Sequence, residues 1–447
     1  MRQAGPPVQR SDERALWLGR ATLIAAFGAV LLGGAVGAWE ALALSAVPAL
    51  LAAGAWVSVG ASAGLRRHVA PALAWTITVA VVGWTSAPVL QNVVRAGLYA
   101  PVGGDALSIA PTATLIETAK LGGLGCAFLC GVFAGRGRRT PPKLLDLSVA
   151  LTAVWAAWSL VLFVSGGSEG RLGAPLGSPN TAASLLGVGA VLATGQLLAL
   201  PSTTGRRANR RWKGVWLGCA LVVTVVALCL TQSRAGLVAA LLAGAGLLLF
   251  WPIQGRQHGR SVRWVGAGAC GLAVLALVQT GGGVLVRLAG LAEDAADRGE
   301  IFTLYWRAFL DAPLFGAGLG ASTYVSKLGL TPENYDALWN IQSAHNWALQ
   351  WLAEGGIAAT LPMVCAVAMV LIGTLRGLDV RSAAVLLPLL FADALVLAHG
   401  LTDFALQIPA FALYWSFLLG LQAAVAGRPS LPPAGGADPA PAGESRP

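Results

Sequence analysis

Twelve apolar runs of about twenty residues each dominate this chain, and a run of that length has few ways to fold. As a helix it crosses about 30 Å of hydrocarbon with every backbone group bonded within itself, which a bilayer interior demands. The composition agrees: 11% of the 447 residues are charged, against about 25% in an ordinary soluble domain, and 56% are hydrophobic. The spans fall at roughly 15–37, 41–65, 69–90, 112–135, 144–164, 181–200, 214–231, 235–253, 264–281, 347–372, 383–405 and 408–427. The expected fold is all-α, a polytopic membrane protein of about twelve transmembrane helices. Residues 1–14 form a cytoplasmic tail, 15–427 the integral-membrane domain, and 428–447, rich in Pro, Ala and Gly, a disordered tail. The run after Arg14 is long and has no clear cleavage site, so it reads as a first span and not a removed signal peptide.

A net charge of +10 invites a nucleic-acid reading, but the positions of the charges oppose it. With the N-terminus inside, 22 of the 30 basic residues fall in cytoplasmic links and tails and only seven on the opposite side. That asymmetry is the positive-inside pattern of a multi-pass membrane protein with both termini inside, whose partner is membrane lipid and not nucleic acid. The six cysteines all lie within apolar spans, which argues against a disulfide framework or a thiolate metal site.

The same topology sorts the histidines. His68 and His258 fall in cytoplasmic links, and His399 lies inside the eleventh span. Only His345 faces the outside, where the long external loop 282–346 re-enters the membrane. Within that loop Ile301–Leu310 has the pattern of a surface helix, Asp311-Ala312-Pro313 ends it, and Gly316, Gly318 and Gly320 mark turns.

Three external arginines stand beside turn chemistry at span ends: Arg171, Arg234 and Arg298, with Arg307 further along the surface helix. A guanidinium is a planar fork of donors that grips anionic oxygens in pairs, and at this depth it suits the diphosphate of a lipid whose tail is in the bilayer. Interfacial arginines also snorkel to headgroups, a reading strongest for Arg307. His345 has an ordinary pKa near 6.5 and so accepts a proton at neutral pH, as a general base must, although a histidine at a span start also serves as a cap. Glu354 is not paired with it: if the helix already includes His345, nine residues along it place the two on opposite faces. Asp393, His399 and Asp403 are ionisable groups within or near the membrane, where burial is expensive; Asp403 sits where it can orient the site. Glu117 and Lys120 are spaced to pair along one helix face. No metal-ligand cluster, paired Asp-x-Asp element or phosphate-binding glycine loop with Lys occurs on the external face, so arginines are expected to neutralise a leaving diphosphate in place of a metal or cofactor.

In order along the chain, Arg171…Gly173…Ser178-Pro179-Asn180, Ser233-Arg234, Arg298 ahead of Pro313-Leu314-Phe315-Gly316-Ala317-Gly318-Leu319-Gly320, Ala344-His345-Asn346…Leu349…Glu354-Gly355-Gly356 and His399…Asp403-Phe404…Pro409 resemble the O-antigen ligase / O-antigen polymerase superfamily of bacterial inner-membrane glycosyltransferases. Ser178 stands where the family pattern has Asn. The resemblance implies a GT-C-like helical fold, an undecaprenyl-diphosphate-linked glycan donor, and metal-independent, inverting transfer on the periplasmic face. It assigns the diphosphate to Arg234 and Arg298 with Arg171 assisting, and proton abstraction to His345, with Arg307, Asn180, Ser233, Asn346 and Asp403 in support. The acceptor is a lipid A-core sugar for a ligase, and a growing glycan or a protein hydroxyl for the alternatives. A transporter or lipid flippase is a third reading; it requires charged groups along mid-span, whereas the candidates gather at span ends.

Overall fold

The computed structural model describes residues 7–59, 68–86, 107–166, 170–200, 207–251 and 291–428. They form α1 (Pro7–Leu31), α2 (Ala38–Val59), α3 (Val69–Thr85), α4 (Pro111–Ala134), α5 (Thr140–Ser165), α6 (Pro179–Leu198), α7 (Arg207–Leu230), α8 (Arg234–Phe250), α9 (Leu291–Asp311), α10 (Ser322–Leu328), α11 (Tyr335–Leu338), α12 (Trp347–Arg376), α13 (Ala383–His399), a 3-10 turn at Ala405–Gln407 and α14 (Pro409–Ala426). Among these, eight helices are long and apolar enough to cross a membrane, and α3, α8 and α13 are shorter apolar helices. The chain is an all-helical, polytopic membrane protein. The expected span at 264–281 lies outside the described residues, and α1 already begins at Pro7, within the expected polar tail.

Two helices are wrapped by the others. About 94% of the span residues of α6 and 89% of those of α14 are inside the bundle, against 39% or less for every other candidate span. The sequence of α6, rich in Ala and Gly, lets α5, α7, α8 and α13 approach it closely. The tightest seam joins α4 to α14, where a Cβ added at Gly131 would stand 2.2 Å from the Phe417 carbonyl oxygen and one at Gly420 2.0 Å from that of Phe128. Such backbone-to-backbone contact is how helices associate in lipid, where apolar burial alone gives no preference. On the outer helices Leu32, Trp39, Leu50 and Leu249 point outward, as residues facing hydrocarbon do.

One span is broken. At Gly356 α12 takes φ 59°, ψ −172°, outside helical geometry, and the segment after α9 enters the gap. The amides of Ala317 and Gly318 donate to the carbonyls of Ala353 and Glu354, while Ile357 and Ala358 donate to the carbonyls of Pro313 and Leu314, all at 2.8–2.9 Å. Irregular backbone is tolerated at membrane depth only when other protein groups satisfy it, and here every freed group named has its partner. A side chain is excluded at the crossing, because a Cβ on Gly356 would lie 2.4 Å from the Leu314 backbone and one on Gly316 2.4 Å from that of Glu354.

The surface helix is longer than its apolar pattern. α9 starts at Leu291, ten residues before Ile301, so Arg298 lies within the helix and does not open it. The stretch from Leu291 to Asp297 is Ala-rich and acidic, which favours a helix N-terminus without adding to an apolar stripe. Ile301, Leu304, Tyr305 and Phe309 pack on Val325, Leu338, Ala344 and Ala353, a second small core that fastens the loop to α12.

Candidate active site

The start of α12 fixes His345. Asn346 caps the helix, its Oδ1 accepting from the amides of Ala348 (3.0 Å) and Leu349 (3.1 Å), so its first role is local. The Trp347 amide donates to the Gly400 carbonyl at 2.9 Å and its indole to that of Leu397 at 3.1 Å, which ties α12 to the end of α13. Between this cap and the loop core His345 is held at φ 51°, a left-handed conformation that costs a residue with a Cβ about 1–3 kcal/mol. Its half-buried ring stands edge-on to Phe404, centroids 5.1 Å apart. Burial, and then the charge of Arg298, push the imidazole below its ordinary pKa, which keeps it in the proton-accepting form at neutral pH.

From Phe404 a chain of contacts runs to the second arginine. Asp403, next in line, is buried in the link after α13; its Oδ2 accepts from the Ala405 amide at 3.0 Å, and Asn180 and Thr181 lie beside it. Burial pushes this carboxyl up to about 6 despite those donors. Asn180 stands at the start of α6, where Ser178 caps the helix by accepting from the Thr181 amide at 3.3 Å. Asn180 Oδ1 accepts from Arg171 Nη2 at 2.8 Å, and Arg171 Nε donates to the Thr231 carbonyl at 2.9 Å. Thr231 belongs to the tight link that ends at Ser233, the cap of α8, whose Oγ accepts from the Gly236 amide at 3.3 Å. Arg234 is thereby the first residue of α8 and is exposed.

The sequence-predicted residues Arg171, Asn180, Ser233, Arg234, Arg298, His345, Asn346 and Asp403 therefore lie around one rim of the bundle, each linked to the next by a contact or a short link. Arg298 reaches His345 and also His399 electrostatically. Arg298 itself is exposed, and its place three residues before Ile301 and seven before Tyr305 sets it on the side of α9 that carries those buried residues. Arg307 lies nine positions on, exposed and about half a turn round the helix, and is not brought to this set. His399 is buried beneath α8, its Nδ1 2.7 Å from Ser184 Oγ. Asp393, mid-span in α13, accepts from the Trp415 indole at 2.9 Å and lies apart from the rim. Glu117 and Lys120 form the expected ion pair. His345 lies outside α12, so a helical spacing from it to Glu354 does not apply; Glu354 instead connects to the preceding residue, Ala344, through Gln350, a link no single-residue reading shows.

Four helix N-termini, those of α6, α8, α12 and α14, open onto this rim, so the positive ends of their dipoles add to the guanidinium groups. Below it an apolar cleft of about 460 Å³ runs between α3, α4, α12 and α14, lined by Trp75, Phe128, Trp351, Val367 and Trp415 and bounded at the rim by Trp347.

Residues 219–364, about a third of the chain, match the family model described as O-antigen ligase. The match is to the O-antigen ligase family. It supports an O-antigen ligase-family function and covers Ser233, Arg234, Arg298, Arg307, His345 and Asn346, while Arg171, Asn180 and Asp403 lie outside it. No curated protein matches the chain.

Proposed function

We propose that this protein transfers polysaccharide from undecaprenyl diphosphate to an acceptor hydroxyl on the periplasmic face, as an O-antigen ligase acting on a lipid A-core sugar. What supports the reading is a proton-accepting imidazole, His345, within the field of Arg298 and two residues before Trp347, which lines an apolar cleft. In this scheme His345 takes the acceptor proton as the hydroxyl oxygen bonds to the anomeric carbon. The bond from that carbon to the diphosphate breaks on the opposite side, which inverts the configuration. Arg234 and Arg298 neutralise the departing diphosphate, with Arg171 held behind them by Asn180 and the Thr231 carbonyl. Arginine charge takes the part a metal ion plays in other diphosphate transfers, and the cleft gives an isoprenoid tail an apolar path beside the rim.

The family match supports ligases and polymerases alike, and the same groups serve a repeat-unit polymerase or a protein O-oligosaccharyltransferase, so the acceptor separates them. The test is reconstitution of the full chain with an undecaprenyl-diphosphate-linked glycan and a choice of acceptors, with and without chelator. Transfer to lipid A-core that survives chelation is the expected result. Elongation of the donor glycan alone would make the protein a polymerase, and absence of transfer to every acceptor would overturn the reading.

A further inference from the structure

Glu354 lies away from the groups that would touch substrate, yet it is buried where two loops meet. Its Oε2 accepts from the Gly320 amide at 2.8 Å, beside the Ser322 hydroxyl, and its Oε1 accepts from Gln350 Nε2 at 3.0 Å. The second contact selects one of the two orientations of the Gln350 amide. Gln350 Oε1 then points the other way and accepts from the Ala344 amide at 3.1 Å and from the side chain of Gln407. That amide belongs to the Ser343–Ala344 peptide, one link before the left-handed His345, so fixing it anchors the chain from which the imidazole projects. A carboxylate can take both the Gly320 and the Gln350 donors, whereas an amide at 354 must turn its own NH2 group toward one of them.

We infer that Glu354 and Gln350 are positioning residues, a directional relay from the Gly320 amide through Glu354 and Gln350 to the Ala344 amide that holds His345 at a fixed place relative to the segment carrying Arg298. The inference rests on His345 acting as the base. Gly320 follows α9 and Ala344 precedes α12, so one buried carboxylate joins the strand of chain bearing an arginine of the diphosphate clamp to the strand bearing the base. Burial, and then the nearby Glu117, make a negative charge at 354 costly, and the Gly320 and Gln350 donors offset that cost.

The relay predicts an exchange of partners that preserves it. Glu354→Gln alone sets two amides against three donors, and Gln350→Glu alone sets two carboxylates against each other. With both substitutions the amide at 354 accepts from Gly320 and donates to the carboxylate at 350, which takes the Ala344 and Gln407 donors. In the reconstituted full chain each single variant is expected to lower kcat by about 100-fold with donor KM nearly unchanged, the scale of an ångström of misplacement. Each should also speed hydrogen–deuterium exchange in the peptide spanning 341–347. The double variant should restore slow exchange and return kcat to within about 10-fold of wild type. Unchanged exchange in the single variants, or a double variant no better than either, would overturn the relay. If instead His345→Ala retained activity, the base would be lost from the scheme while the exchange data still judged the relay.

Discussion

Two glycines in this bundle meet a neighbouring backbone at nearly the same distance and have opposite effects. Gly420 keeps α14 helical and lets α4 press against it, so the helix stays whole and the seam is tight. Gly356 leaves helical geometry altogether, and a loop enters the span through the opening. A seam of the first kind supports the bundle. An opening of the second kind costs continuous helix but brings loop residues into register with span residues, and the candidate site stands on that side of the molecule. Stability and chemistry should therefore separate on mutation.

The largest expected effect tests the chemical arm. His345→Ala should lower transfer by at least about 1,000-fold while the protein stays in the membrane with wild-type melting, measured on the reconstituted chain. Gly356→Ala should come next, with an activity loss of about 100-fold, because a Cβ forces the 313–318 segment out of the gap and shifts the start of α12. Gly420→Ala should reverse the pattern. Its cost is about 2–3 kcal/mol of stability, read from thermal or denaturant melting in detergent, with the turnover of the surviving folded fraction near normal. Equal loss of turnover per folded molecule in the Gly420 and Gly356 variants would dissolve the distinction. The smallest effect is electrostatic. Burial, and then the charge of Arg298, lower the pKa of His345, so Arg298→Gln should move the acid limb of the kcat/KM profile upward, and the variant should lose more activity at pH 6 than at pH 8. An unmoved limb would separate Arg298 from the base.

Much of this was legible in the residues. Span periodicity predicts the apolar helices that are described, and Arg171, Arg234 and His345 do stand at helix ends, because both follow from local composition. The length of α9 was not legible: its first turns are polar and carry no apolar period. Nor was the break at Gly356, since Gly355-Gly356 within an apolar run is compatible with an intact span, and the groups that fill the gap come from some forty residues earlier. The Gln350–Glu354 contact had a signal, two polar side chains four apart on one helix face in an apolar stretch, but its purpose appears only when Gly320 and Ala344 are brought to either end. Arg171, Asn180 and Asp403 meet through three separate links, which no spacing in a single chain reveals.

The broken span also constrains how the protein is made. The carbonyls of Ala353 and Glu354 and the amides of Ile357 and Ala358 take their partners from Pro313, Leu314, Ala317 and Gly318, which emerge earlier in synthesis. This segment must already be folded back against α12 before that helix can leave the insertion machinery for lipid without bare peptide groups. Release of the span is thus contingent on the preceding loop, and the candidate site is assembled in the same event as the broken helix.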